Sequence, residues 1–253
     1  SSKFKDENSF SYFPSASFAW RINKENFLKN VKTITDMKWR LGFGMTGNQN
    51  IPAYSTFTRY NSTVYPNPAG GGILIGVQPD NIANEQLKWE TTRQFNTGLD
   101  ISLLDNNLSF TVDAYHKKTV DLLQSFTLPY STGYQTIVRN FGSLTNKGLE
   151  FSVNASILNK GKFKWDANAN ISFNRNKIAE LGLAKGNIGS LKDISYYLGG
   201  NVTNSPYFQT PANIFIEGQP IGLFFGFKTD GVYQNTTETT GNTFFGQAIL
   251  PGD

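Results

Sequence analysis

From Leu99 to Lys118 the chain reads LDISLLDNNLSFTVDAYHKK: apolar and polar residues alternate, the alternation stops at Asn106-Asn107, and it resumes with its parity reversed. A period of two marks a strand whose two faces meet different surroundings. Leu99, Ile101 and Leu103 share one face before the break, and Leu108, Phe110, Val112 and Ala114 share one after it. If the chain turns back through a loop of even length, the reversal keeps both apolar sets on the same side of a hairpin. Asn tolerates the positive φ that a two-residue type I′ loop demands. Such a loop predicts Leu103 beside Phe110, Ile101 beside Val112 and Leu99 beside Ala114, with Ser102 facing Thr111 and Asp100 facing Asp113 on the polar side.

A second pair of runs, Leu149 to Leu158 and Phe163 to Phe173, keeps its parity across Asn159-Lys160-Gly161 and needs an odd-length loop. Three residues ending in Gly suit a type I turn followed by a bulge. The expected neighbours are Ile157 with Phe163, Ala155 with Trp165, Val153 with Ala167 and Phe151 with Ala169. On the polar side they are Ser156 with Lys164, Asn154 with Asp166, Ser152 with Asn168 and Glu150 with Asn170. Alternation also marks Pro14 to Ile22, Met37 to Met45 and, less regularly, Ile221 to Tyr233, about seven strands in all, while Gln135 to Ser143 is read as leading straight into the Leu149 strand.

The 253 residues are only 38% hydrophobic and 17% charged, yet 14% are aromatic; ordinary globular domains carry roughly 25% charge. Mean hydropathy is −0.36, so rings supply much of the apolar surface. The 24 glycines and the many Asn residues provide turns. No run approaches the roughly 18 apolar residues of a transmembrane helix, and no basic-then-apolar start marks a signal peptide. The absence of cysteine excludes disulfide frameworks, thiolate metal sites and thiol catalysis. The net charge of +4 comes from scattered Lys and Arg rather than from a stripe that would track nucleic acid, so no nucleic-acid partner is expected.

Connections fall into two classes. Short ones follow Leu104 and Leu158, and Asn23 to Thr35 allows one helical turn; long ones cover residues 47–93, 125–134 and 175–219 and are rich in Gly, Pro, Asn, Ser and Tyr. Short and long alternate along the chain, as in an outer-membrane barrel with short periplasmic turns and long external loops. Strands that cross a bilayer need about 9–11 residues, which these runs supply. The fold class is therefore all-β, an antiparallel transmembrane barrel wall with its apolar face toward lipid and its polar face toward a wet lumen. The soluble alternative is a sandwich or propeller, whose strands are commonly nearer 5–6 residues.

Chemistry-bearing residues are few. Asp100 and Asp113, if opposite, form a carboxylate pair of the kind glycosidases use, but polar lumen positions offset by Lys117, Lys118 or water explain them more simply. Glu150 and Asp166 are read in the same way. His116 is the only histidine and has no Asp or Glu at ligand spacing, so neither a metal site nor a catalytic triad is expected around it. GFGMTGNQN and PAGGGILIG lack the phosphate-loop pattern and read as a strand end and a loop tip. No catalytic residue, cofactor or metal is assigned, and the chain is not expected to be an enzyme.

The long loops contain Tyr54, Tyr60, Tyr65, Tyr130, Tyr134, Tyr196, Tyr197 and Tyr207. Exposed rings suit stacking on sugars or packing against a protein lid; they equally suit anchoring of their own loops or an interfacial girdle. Tyr54, Tyr60, Tyr65, Tyr196, Tyr197 and Tyr207 are the candidates for substrate or partner contact.

Six strings, in order and with matching spacing, resemble the barrel of SusC/RagA-type TonB-dependent transporters of Bacteroidetes outer membranes. They are FPSASFAWRINKENFL (Phe13 to Leu28), KWRLGFGMTGNQNI (Lys38 to Ile51), the segment from Leu87 to Leu123, NFGSLTNKGLEFSV (Asn140 to Val153), WDANANISFNRNKIAEL (Trp165 to Leu181) and EGQPIGLFFGFKTDGVYQ (Glu217 to Gln234). The resemblance implies a nutrient importer, its barrel of about 22 strands closed by a plug. A SusD-like surface lipoprotein would cap the external loops, and TonB would act on the absent N-terminal part. Substrates in the family are commonly glycans, and in some members peptides. Residues 1–253 would then be a partial barrel without plug, TonB box or closing strands. Trp89, Gly142 and Gly148 are read as structural. The rivals are a secreted or surface β-rich glycan-binding or adhesive module without transport, and a surface glycosidase.

Overall fold

The computed structural model of the chain describes residues 3–134, 136–202 and 211–226, with short pieces between 232 and 248. In chain order its strands are β1 (Ser15–Arg21), β2 (Ile34–Asn48), β3 (Arg59–Pro66), β4 (Ile73–Asn81), β5 (Glu90–Leu103), β6 (Leu108–Val120), β7 (Leu123–Thr127), β8 (Thr136–Asn140), β9 (Ser143–Lys160), β10 (Phe163–Glu180), β11 (Gly186–Ile188), β12 (Leu191–Ile194), β13 (Tyr196–Leu198), β14 (Asn213–Ile216), β15 (Leu223–Phe224), β16 (Thr243–Phe244) and β17 (Gln247–Ala248). A six-stranded antiparallel sheet runs β1-β2-β5-β6-β9-β10, and a second sheet runs β3-β4-β8-β7. The chain divides into two compact units, one of residues 1–197 with 215–221, the other of residues 198–214 and 222–253. In the second unit β14 and β15 pair through Asn213↔Phe224 and Ile214↔Leu223.

Alternation explains the large sheet. Trp39, Leu99, Val112, Phe151 and Ile171 fall on adjoining strands in one cross-sheet row, and Ile101, Phe110, Val153 and Ala169 fall in the next on the same face. The intervening residues, among them Arg40, Asp100, Asp113 and Glu150, occupy the other face. Thr97, a polar residue on the apolar side, accepts a hydrogen bond from the Trp39 indole at 2.8 Å and donates to the Arg40 carbonyl.

Both hairpins depart from the expected register. Leu103 pairs with Leu108, Ile101 with Phe110 and Leu99 with Val112, a two-residue offset that leaves Asp100 opposite Thr111 and Asp113 opposite Gly98. The turn has four residues, with φ positive at Leu104, Asp105 and Asn106. Neighbouring chain holds it: Leu104 N–H donates to the Thr33 carbonyl, Asp105 N–H to Thr35 Oγ1, and the Asn107 carbonyl accepts from Ser156 N–H. In the second hairpin β9 runs to Lys160, Gly161 and Lys162 alone form the tip, and the extra residue is a bulge that leaves Ile157 unpaired between Leu158↔Trp165 and Ser156↔Asp166. Parity required one surplus residue, and the strand accommodates it away from the loop. Beyond the bulge the partners are Ala155 with Ala167, Val153 with Ala169 and Phe151 with Ile171.

The long connections are not bare loops. Residues 47–93 include the β3–β4 hairpin, whose tip holds Gly70, Gly71 and Gly72 at positive φ. β8 does not lead straight into β9: it pairs with β7 in the second sheet, and Gly142, at φ 81, turns the chain into the first. A side chain there would also crowd the Glu180 carbonyl, 2.9 Å from a built Cβ. Of the expected strand Ile221 to Tyr233, only Leu223–Phe224 is a strand among the described residues, and residues 227–231 and 233 lie outside them. A small core of Phe4, Ile51 and Leu87, with Trp89, Leu123 and Val138 against it, ties the N-terminal segment to the base of these connections.

Candidate functional site

Short connections join β1 to β2, β5 to β6 and β9 to β10, whereas long ones leave β2, β6 and β10 at the opposite edge. The large sheet thus has a turn end and a loop end, and each of its faces has its own chemistry.

On the polar face Arg40 donates from Nε and Nη2 to Asp100 at 2.8 and 3.0 Å, and from Nη2 to Asp113 Oδ1 at 2.9 Å. Lys38 Nζ lies 3.2 Å from Asp100, and Thr111 donates to the same carboxylate at 3.3 Å. One guanidinium therefore bridges the two carboxylates, a role the sequence reading gave to Lys117, Lys118 or water. Gly98 makes room for it, since a Cβ there would stand 2.6 Å from Arg40 Nη2 and run into Asp113. Gly148 likewise lies beneath the Tyr115 ring, whose Cζ is 2.7 Å from a built Cβ. Arg21 pairs with Asp36 at 2.9 Å, and Ser156 donates to Asp166 at 2.6 Å. Glu150 is exposed directly opposite Asp113. Arg40 escaped the sequence reading because its partners are on β5 and β6, beyond a long connection. Its only sequence signal was a cation at a polar-face position of the strand Met37 to Met45.

The apolar face is bordered by rings. Trp165 stands at the turn end, Trp20 and Trp39 in the middle row with Leu99 and Val112, and Phe43, Phe95 and Phe173 toward the loop end. His116 is exposed on this face, between Phe95 and Lys147.

The tyrosine candidates do not form one cluster. Tyr60 and Tyr65 lie five residues apart on β3 and so point to opposite faces of the second sheet, with Tyr65 across from Leu74 and its ring over Gly76. Tyr54 is exposed in the connection before them at φ 62. Tyr196 donates to the Asn187 carbonyl at 3.4 Å. Tyr207 lies outside the described residues. Tyr197 lines a cavity of about 250 Å³ at the loop end of the polar face. Phe126, Phe141, Phe215 and Ile178 line it, with Glu180 and Gln124 as polar groups. Phe126 meets Phe141 edge-on at 4.9 Å and Tyr197 at 6.3 Å, and Tyr197 lies 6.1 Å from Phe215. Phe126, Phe141 and Phe215 went unread because no local pattern joins rings that three separate segments bring together.

Long one-sided strands, ring-bordered apolar face, ion-paired polar face and alternating connection lengths define a segment of an outer-membrane-type barrel wall. The chain belongs to the family described as TonB dependent receptor-like, beta-barrel, whose model matches residues 1–251. TonB-dependent receptor P3 of Formosa agariphila is 39% identical over all of this chain and 24% of its own length. TonB-dependent receptor SusC of Bacteroides thetaiotaomicron is 40% identical over 72% of this chain and 18% of its own. Among solved structures, the RagAB peptide transporter superposes with a TM-score of 0.70 at 26% identity, over 87% of this chain and 22% of the other. The chain spans about a quarter or less of these relatives' length.

Proposed function

We propose that the protein to which this chain contributes imports a nutrient across the outer membrane of a Gram-negative, Bacteroidetes-type bacterium by TonB-dependent transport. The chain supplies barrel wall and external loops. The observation that carries this reading is the sorting of the six strands: Asp36, Asp100, Asp113, Glu150 and Asp166 share the polar face with Arg40, and among the described residues the apolar one has a single carboxylate, Glu180, at its loop-end edge. A sheet so divided fits lipid on one side and water on the other. Family membership supports transport over catalysis, and ion pairing with Arg40 gives Asp100 and Asp113 a structural role.

The substrate is a glycan or a peptide. The aromatic cavity at the loop end suits either a sugar ring or an apolar side chain, and the likeness to the RagAB peptide transporter supports peptides alongside glycans. Tyr197, and less directly Tyr54, Tyr60, Tyr65, Tyr196 and Tyr207, are the proposed contacts for substrate or for a SusD-like lipoprotein capping the loops. TonB would engage a part outside this chain.

The test uses the full-length parent protein. A requirement for detergent, together with gel mobility that changes on boiling, supports a closed membrane barrel, and the co-purifying lipoprotein identifies the lid. Release into buffer without a mobility shift overturns the reading in favour of a secreted or surface glycan-binding or adhesive module.

A further inference from the structure

At the loop end the apolar face stops at a belt of cations. Phe95, His116, Lys147 and Arg175 stand side by side on β5, β6, β9 and β10, and Arg93 and Lys118 pair in the next row outward. All five basic residues are exposed. The ion pairs of these six strands, Arg21–Asp36, Lys38–Asp100, Arg40–Asp100 and Arg40–Asp113, all lie on the polar face, and none reaches the belt. Among the described residues the apolar face of the six strands carries one carboxylate, Glu180, opposite Ser143 in the row beyond Arg93 and Lys118.

Two features make this more than scattered surface charge. First, cations are direct cross-strand partners: Arg93 faces Lys118, and Lys147 faces Arg175, with His116 on the other side of Lys147. Adjacent strands are about 4.8 Å apart, and like charges directly opposite destabilise a sheet. A shared anion removes that cost. Second, among the described side chains the same face presents Leu103, Leu108 and Trp165 at the turn end instead. From Leu103 to Arg93 is about 33 Å of strand at about 3.3 Å per residue, or about 25 Å of height at a tilt near 40°, which is the height of a barrel's apolar band. The belt therefore meets headgroups, and those of the outer leaflet.

We propose that Arg93, Lys118, Lys147 and Arg175, with His116 between them, form a docking surface for the phosphate-bearing headgroup of an outer-leaflet glycolipid. The assignment rests on the membrane-barrel reading above. Lys and Arg suit it: each offers several donors to phosphate oxygens, and their stems lie along apolar surface while the charge reaches the interface.

The experiment takes the full-length parent protein, delipidated in detergent, and counts bound lipid by native mass spectrometry with monophosphoryl lipid A and with the same lipid after phosphatase treatment. The expected result is preferential retention of the phosphorylated form, with affinity lowered about tenfold or more in the quadruple variant R93Q/K118Q/K147Q/R175Q and unchanged in Lys117→Gln, whose side chain is on the polar face. Equal retention of both lipids, or an unaffected quadruple variant, overturns the proposal. Competition by inorganic phosphate at the same concentration overturns the lipid as the source of the anion. If the quadruple variant does not fold, the comparison of the two lipids on the unaltered protein still decides. A protein that needs no detergent refutes the barrel reading itself, whereas a detergent-dependent, heat-modifiable barrel without lipid preference refutes only the belt.

Discussion

Substituting Arg at successive outward positions of β6 should produce a cost that peaks in the middle of the strand and vanishes at its ends. Val112 pairs with Leu99 on one side and Phe151 on the other. Counting from Leu103 at about 3.3 Å per residue and a tilt near 40° places that row about 10 Å into a band about 25 Å tall. Val112→Arg should therefore cost about 2–4 kcal/mol, and Leu108→Arg, at the band's edge, about 1 kcal/mol or less. A loss of about 3 kcal/mol lowers the ratio of folded to unfolded barrel about 150-fold. Thr111→Arg is the control one residue away, where the new guanidinium sits across from Asp100 on the polar face. The assay is the fraction of full-length protein that runs as the compact, heat-modifiable species when unheated, measured against urea. Equal damage from Val112→Arg and Thr111→Arg, or from Val112→Arg and Leu108→Arg, would refute the assignment of faces and of depth.

The other expectations concern packing and charge. Arg40→Met removes three charge-assisted hydrogen bonds from partly exposed carboxylates, so the heat-modification midpoint should fall by an amount corresponding to about 1–3 kcal/mol, and Asp113→Asn should recover part of it. Gly98→Ala pushes a Cβ into the same guanidinium; its effect should be similar in size and clearly less than additive with Arg40→Met in a double-mutant cycle. Trp89→Ala loses ring contacts to Phe4 and Phe13 at 5.5 and 5.4 Å and the indole hydrogen bond to the Asn8 carbonyl. At a half-buried site this costs about 2 kcal/mol, so limited proteolysis should cut ahead of Ser15 while the barrel stays heat-modifiable.

Much of the fold was legible because lipid and water impose a strict period of two. Every strand of the large sheet lies over a run that alternates in the sequence, and the assignment of Leu99, Ile101, Val112 and Phe151 to one face needed no knowledge of partners. Partners were not legible. Thr33, Thr35 and Ser156 hold the β5–β6 turn from neighbouring strands, so its length is set by contacts that no local rule contains. The strands within residues 47–93 were missed for a different reason. β3 and β4 have one another and the edge of β8 rather than a bilayer against them, and without a two-phase environment their alternation is weak. The aromatic pocket is further still from local reading, since its four rings come from four segments.

The register error has its own logic. The expected and observed pairings of β5 with β6 differ by two residues, and a shift of two returns every side chain to its own face. Lipid can therefore fix parity but cannot choose among registers of the same parity. Charge can. In the register first expected, Asp100 would lie directly opposite Asp113, like against like. The observed one puts Asp113 opposite Gly98 and Arg40 opposite Gly98 from the other side, so the two side chains meet over the one position that has none. Moving either neighbour of β5 by two residues takes Arg40 or Asp113 away from that gap. The polar face is thus where register is selected and the apolar face where orientation is selected. This division predicts that Arg40→Met and Gly98→Ala broaden the distribution of β-strand pairings, read by cross-linking cysteines introduced at Ser102 and Ser109, while leaving which residues face lipid unchanged.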